Sequence, residues 1–119
     1  MIRRINDFQL TKNFNLREFM SHDTNEVMIY PEVVEKLPAL RDIIGVQIRV
    51  NSGYRAPERN KAVGGVLHSY HMFGKAVDIT VFGVSPDILK QIALKVGFSF
   101  VKYYPDRNYF HLDIGVHPH

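Results

Sequence analysis

The chain has no cysteine, which excludes a disulfide framework and leaves only nitrogen and oxygen ligands for any metal. It has no apolar stretch near the eighteen or so residues of a membrane span. No apolar run follows Arg3 and Arg4 either, where the chain continues Ile5-Asn6-Asp7-Phe8-Gln9. No signal peptide is readable. The expectation is a protein made as a soluble cytoplasmic chain, whose export would need another route. Repeats, low-complexity tracts and linkers are missing too, and 119 residues suffice for one modest core, so residues 1–119 are read as a single domain. There is no basic stripe with interleaved aromatics. The net charge of +3 suits an acidic partner, but the scattered lysines and arginines do not mark a nucleic-acid binder.

What is present reads as mixed helices and strands. Asn15-Leu16-Arg17-Glu18 has the form of a capping box and should open a short helix through Met20. Ser21 to Tyr30 reads as a loop. Pro31 suits the first turn of a second helix, in which Val33, Leu37, Leu40 and Ile44 form an apolar stripe. Pro38 should kink or split it, and Gly45 should close it. Val46 to Val50 alternates as a strand, and Ser52-Gly53-Tyr54-Arg55 leaves it as a loop. A short helix over Pro57 to Val63 should end at Gly64-Gly65. Lys75 to Val81 is a second strand. Ser85-Pro86 caps a helix carrying Ile88, Leu89, Ile92 and Val96. A hairpin closes the chain, Phe98 to Tyr104 turning through Pro105-Asp106-Arg107-Asn108 into Tyr109 to Ile114. The order predicts an α+β fold, a small antiparallel sheet flanked by helices.

Strand parity singles out a candidate metal site. In the last strand Phe110, Leu112 and Ile114 share one face and should pack on the core, which turns His111 and Asp113 onto the other. In the earlier strand Val77, Ile79 and Val81 face the core, and Ala76, Asp78 and Thr80 face away. Neighbouring strands would then present Asp78 and His111 on one open surface. Ala76 beside them is small and leaves room, and His71 arrives from the loop just before the strand. Two imidazoles and a carboxylate fill three positions of a tetrahedral zinc site and leave the fourth for water, the pattern of hydrolytic zinc. The helical His-Glu-x-x-His signature is absent.

Around this set the readings stay open. Asp113 either orients a histidine from behind or takes part in proton transfer. Arg55, after a tight Ser-Gly-Tyr turn, is either a surface arginine or a clamp for a substrate carboxylate. Ser69 either hydrogen-bonds the loop backbone or contacts substrate. His68 shares no strand parity with the site, and His117-Pro118-His119 reads as a flexible tail. All three of these histidines are left out of it.

Ser52-Gly53-Tyr54-Arg55, Asn60 to Gly65, Ser69-Tyr70-His71-Met72-Phe73-Gly74-Lys75-Ala76-Val77-Asp78 and His111-Leu112-Asp113-Ile114-Gly115 together resemble the zinc D-alanyl-D-alanine carboxypeptidase and L-alanyl-D-glutamate endopeptidase family of peptidoglycan peptidases. Its relatives include the vancomycin-resistance dipeptidases and, by fold, the hedgehog signalling domain. The likeness runs from about Phe14 to Gly115. It implies a hedgehog/DD-peptidase-like fold, zinc on His71, Asp78 and His111, and a peptide substrate held by Arg55 and Ser69. It also implies hydrolysis of stem or cross-link peptides. A monomer with no nucleic-acid partner is expected. The chain looks closest to the minimal branch with phage lysins and small wall enzymes, where another protein or the virion delivers the domain to the cell wall.

One departure stands out. Several branches of the family place a glutamate or aspartate three residues before the last histidine ligand as the general base. This chain has Asn108 there, and an amide cannot take that proton. Asp113 and Asp106 are the remaining acids nearby, and only Asp113 shares the face of His111, which makes it the candidate base. The alternatives are a zinc-stabilised module that binds the wall without cleaving it, and a structural phage protein that keeps the fold.

Overall fold

The computed structural model describes residues 10–11, 13–24, 26–65 and 69–117. Among them the fold is α+β, with four strands in one antiparallel sheet. The strands are β1 (Arg49–Ser52), β2 (Ala76–Thr80), β3 (Phe100–Tyr104) and β4 (Tyr109–Asp113), in the spatial order β1-β2-β4-β3. The helices are α1 (Pro31–Ile44), α2 (Pro57–Ala62) and α3 (Pro86–Lys95), with 3₁₀ turns at Leu16–Phe19 and Tyr70–Phe73. No helix among the described residues is long and apolar enough to cross a membrane.

Local chemistry accounts for these elements. The Asn15–Glu18 capping box forms, Asn15 accepting from the Arg17 N–H while Glu18 accepts from the Asn15 N–H. It opens a 3₁₀ turn rather than an α-helix. α1 runs unbroken through Pro38, so the split expected there does not occur. The proline forfeits one backbone hydrogen bond, but Val33, Leu37 and Leu40 are fully buried and hold both halves of the helix on the core. Gly45 ends it in the left-handed conformation at φ 71°, where glycine carries no Cβ penalty.

β1 begins three residues later than the alternation of Val46 to Val50 indicated. Ile48 is buried and Val46 is partly so against the core, yet the ladder with β2 starts at Arg49↔Thr80. Alternating burial needs only a neighbouring core, whereas a strand also needs a partner for its backbone groups. The register shifts between Val50 and Ser52, and such an irregularity re-aims the residues that follow, here the Gly53–Arg55 loop.

The core lies on one face of the sheet. Val77, Ile79, Phe110, Leu112 and Val101 from the strands cluster with Val33, Leu37 and Leu40 of α1 and Leu89 and Ala93 of α3. Each of these side chains larger than alanine contributes about 1.5–3 kcal/mol when fully buried. With both long helices gathered there, the opposite face carries Asp78 and His111.

Candidate metal centre

Asp78 of β2 and His111 of β4 are Cα partners in the antiparallel register, so parity and pairing together set them side by side. His71 comes from the 3₁₀ turn that precedes β2. Ser69 caps that turn, its Oγ accepting the His71 N–H at 3.2 Å. Gly74 closes it at φ 71°, against the Met28 carbonyl, which a Cβ would meet at 2.6 Å. The Arg55 N–H donates to the His71 carbonyl at 3.0 Å, tying the turn to the loop after β1.

The three side chains converge on one atom. Asp78 Oδ1 lies 3.0 Å from His71 Nε2 and 3.1 Å from His111 Nδ1. One donor atom from each residue falls within 4.8 Å of the others, an arrangement that could hold a metal ion. The far nitrogens of both rings are anchored. His71 Nδ1 lies 2.7 Å from the Gly53 carbonyl, which can only accept, so that nitrogen carries a hydrogen and Nε2 is the one aimed at the site. His111 Nε2 lies 2.7 Å from Asp113 Oδ2. Imidazoles fixed from behind by a carbonyl and a carboxylate are how metal-binding histidines are oriented. The donor chemistry therefore fits a divalent ion of the zinc type.

The electrostatics follow from this crowding. Burial pushes the Asp78 carboxyl upward, but the hydrogen bonds and charges of His111 and His71 outweigh it and hold it well below the usual carboxylate range. Burial opposes charge on His111 as well, yet its bonds to Asp113 and Asp78 raise it to about 9. Asp113 is likewise held low, its desolvation overcome by His111 and His117.

Asp113 has no exposed surface. Its Oδ2 takes His111, and its Oδ1 takes His117 Nε2 at 2.8 Å and the Gly115 N–H at 3.1 Å. A carboxylate engaged at both oxygens is placed to position two histidines. Arg55 reaches the site too, its Nη2 donating to Asp78 Oδ2 at 2.8 Å, while other hydrogens go to Ser52 and Asn60. Ala76, expected to leave open space, is fully buried. The room lies instead over Asp78 and His111, in a cleft of about 620 Å³ that Arg55, Ser69 and His71 also line.

His117, set aside as tail, lines this cleft. It stacks on Phe100 with ring centroids 4.2 Å apart and meets Tyr70 edge-on at 5.3 Å. β4 ends at Asp113, so strand parity does not extend to His117, and its place is set by contacts with Asp113 and Phe100. Phe100, Lys102 and Tyr104 were also missed. They pair with Asp113, His111 and Tyr109 across the hairpin and so share the open face. His68 and His119 lie outside the described residues. Asn108 is explained by the hairpin: its φ is 51°, which asparagine tolerates better than most residues, and its Oδ1 accepts from the Tyr103 hydroxyl at 3.0 Å.

A cleft built over two anchored imidazoles and a buried carboxylate is a candidate metal centre, a donor set that could hold a metal ion. The Peptidase M15 family profile matches residues 7–113, and the chain belongs to that family. Its open antiparallel sheet with three helices is the small DD-peptidase-like form. It is similar to the peptidoglycan L,D-endopeptidase MepK of Escherichia coli (strain K12), with 28% identity over 109 residues covering 85% of this chain and 60% of that protein. A probable peptidoglycan L,D-endopeptidase MepK of Haemophilus influenzae is 30% identical over 125 residues, covering 92% of this chain and 67% of its own. The chain thus spans about three fifths of the length of the first of these curated relatives.

Proposed function

We propose that this chain is a zinc-dependent peptidase that hydrolyses peptide bonds in the stem or cross-link peptides of bacterial peptidoglycan, acting at the cell wall. The observation that carries the proposal is the convergence of His71 Nε2, His111 Nδ1 and Asp78 Oδ1 at the floor of an open cleft, in a chain of the Peptidase M15 family. The names of its MepK relatives support the wall substrate, and they favour an endopeptidase over a carboxypeptidase. Two adjoining hollows that share Asp78 and Tyr109 also favour it, because a peptide cut internally needs room on both sides of the bond.

In this reading His71, Asp78 and His111 hold the ion. When bound, zinc supplies Lewis acidity, polarising a carbonyl and making water nucleophilic near neutral pH. The other residues set the stage for that chemistry. Gly53 O and Asp113 Oδ2 fix which nitrogen of each histidine faces the cleft. Arg55 holds Asp78 Oδ2 and so leaves Oδ1 for the ion. Ser69 fixes the turn that carries His71 and borders the cleft where substrate lies. Asp113 acts by positioning His111 and His117 rather than by taking the proton of the attacking water, since both of its oxygens are engaged.

Mass spectrometry of purified peptidoglycan incubated with the protein, with and without a chelator, tests the proposal. New chelator-sensitive fragments are expected, and their masses name the bond. A zinc-loaded sample that yields no fragments contradicts the peptidase reading and leaves a wall-binding module.

A further inference from the structure

The cleft over His111 continues past Asp78 into a second hollow of about 350 Å³. Both hollows share Arg55, Asp78 and Tyr109, but their chemistry differs. The first is walled by the rings of Tyr70, Phe100, Tyr104 and His117. The second is edged by His22, Arg59 and Arg107.

Charge bookkeeping in the second hollow leaves an excess of one sign. Arg55 and Asp78 neutralise each other across 2.8 Å, and the rest of the Arg55 guanidinium is turned on Ser52 and Asn60. Arg55 is therefore occupied within the protein. The side chains of Arg59, on α2, and Arg107, in the β3–β4 turn, have no hydrogen bond or ion pair among the described residues. The acid that feels Arg59 is Asp23, which is exposed, lies outside the lining of the hollow and already accepts the Ser21 hydroxyl at 2.6 Å. Arg107 is near enough to Tyr109 for its charge to act on that phenol. Two guanidinium groups from separate elements, neither paired among the described residues, thus border one recess next to the candidate metal centre. Their planar forks of donors match a carboxylate.

We propose that Arg59 and Arg107 form a carboxylate-binding subsite that holds a free carboxylate of the peptide beside the bond to be cut. The choice of a peptide as ligand rests on the peptidase reading. The subsite itself rests on the two arginines. It makes the state of the substrate's carboxylates, free or amidated, a determinant of recognition.

The test is calorimetric binding of the stem tetrapeptide from peptidoglycan, with its carboxylates free and with them amidated, to the full chain in chelator, so that binding is read apart from cleavage. The free acid should bind about tenfold tighter than the amide, the scale of one charge-assisted pair. Arg59→Gln and Arg107→Gln should each erase most of that preference and leave binding of the amide within about twofold. Arg107→Lys should keep part of it. Melting temperatures confirm that the variants fold. Equal binding of acid and amide, no binding of either, or a preference that survives both glutamine variants overturns the subsite. A chain that prefers the acid but cleaves nothing when loaded with zinc upholds the subsite and overturns the peptidase reading.

Discussion

Asp78 and His111 stand directly opposite each other on adjacent antiparallel strands, with Asp78 Oδ1 3.1 Å from His111 Nδ1. The same carboxylate oxygen lies 3.0 Å from His71 Nε2, so one atom links all three candidate ligands. Its other oxygen is fixed by Arg55.

Replacing Asp78 by Asn keeps the shape of the side chain and removes its charge. Zinc binding, followed by competition with a chromophoric chelator, should weaken by more than the roughly 10–100-fold typical of losing a supporting residue. Circular dichroism should show the fold retained. Unchanged affinity in Asp78→Asn would mean that the ion binds elsewhere.

Asp113→Asn separates positioning from ligation. The variant loses the ionised acceptor that fixes His111 Nε2 and His117 Nε2, so zinc affinity should fall about 10–100-fold. Leaving buried donors poorly matched should also cost about 1–3 kcal/mol of stability, read as a shift in urea midpoint. A loss of cleavage with zinc affinity and stability intact would instead restore Asp113 as the proton acceptor.

The metal-free chain should have a stability plateau bounded on both sides. Opposing its burial, the bonds of His111 to Asp113 and Asp78 raise it from 6.5 to about 9, so its contribution is complete below pH 6.5 and is lost as the pH climbs through about 9. Asp78 is depressed from 3.8 by its two histidines despite burial, so its contribution is complete above that value and is lost as the pH falls below it. Melting temperatures in chelator from about pH 3 to about pH 10 should fall off at both ends. His111→Gln should flatten the alkaline limb, and an unchanged limb would refute the assignment.

Gly53→Ala tests how the backbone sets the site. A Cβ there would meet the Phe19 Cα at 2.6 Å and its carbonyl oxygen at 2.8 Å, both backbone atoms with little freedom to move. The loop must shift, carrying the carbonyl that holds His71 Nδ1. A loss of about 1–3 kcal/mol is expected, with weaker zinc binding. A variant with wild-type melting and affinity would show that the contact is easily relieved.

Much of the site was legible because a strand has a period of two. The burial of Val77, Ile79, Phe110 and Leu112 dictates that Asp78 and His111 face away from the core. Register was not legible, because nothing in the local pattern says which residue of β2 meets which of β4, or that β3 adds Phe100, Lys102 and Tyr104 to the open face. His117 was lost for a related reason. Its Val-His-Pro-His surroundings carry no strand signal, and its place depends on long-range contacts with Asp113 and Phe100. Pro38 argued for a break in α1 on local grounds, but burial on both sides of it prevailed.

The central claim is that β2, β4 and the turn before β2 build one metal centre from His71 Nε2, Asp78 Oδ1 and His111 Nδ1. Crystals of the zinc-loaded chain, with anomalous scattering collected at the zinc edge, test it most directly. The account predicts a single strong peak in direct contact with those three atoms, with His111 Nε2 still on Asp113. A peak bound through His117, or at a site away from Asp78, would contradict it.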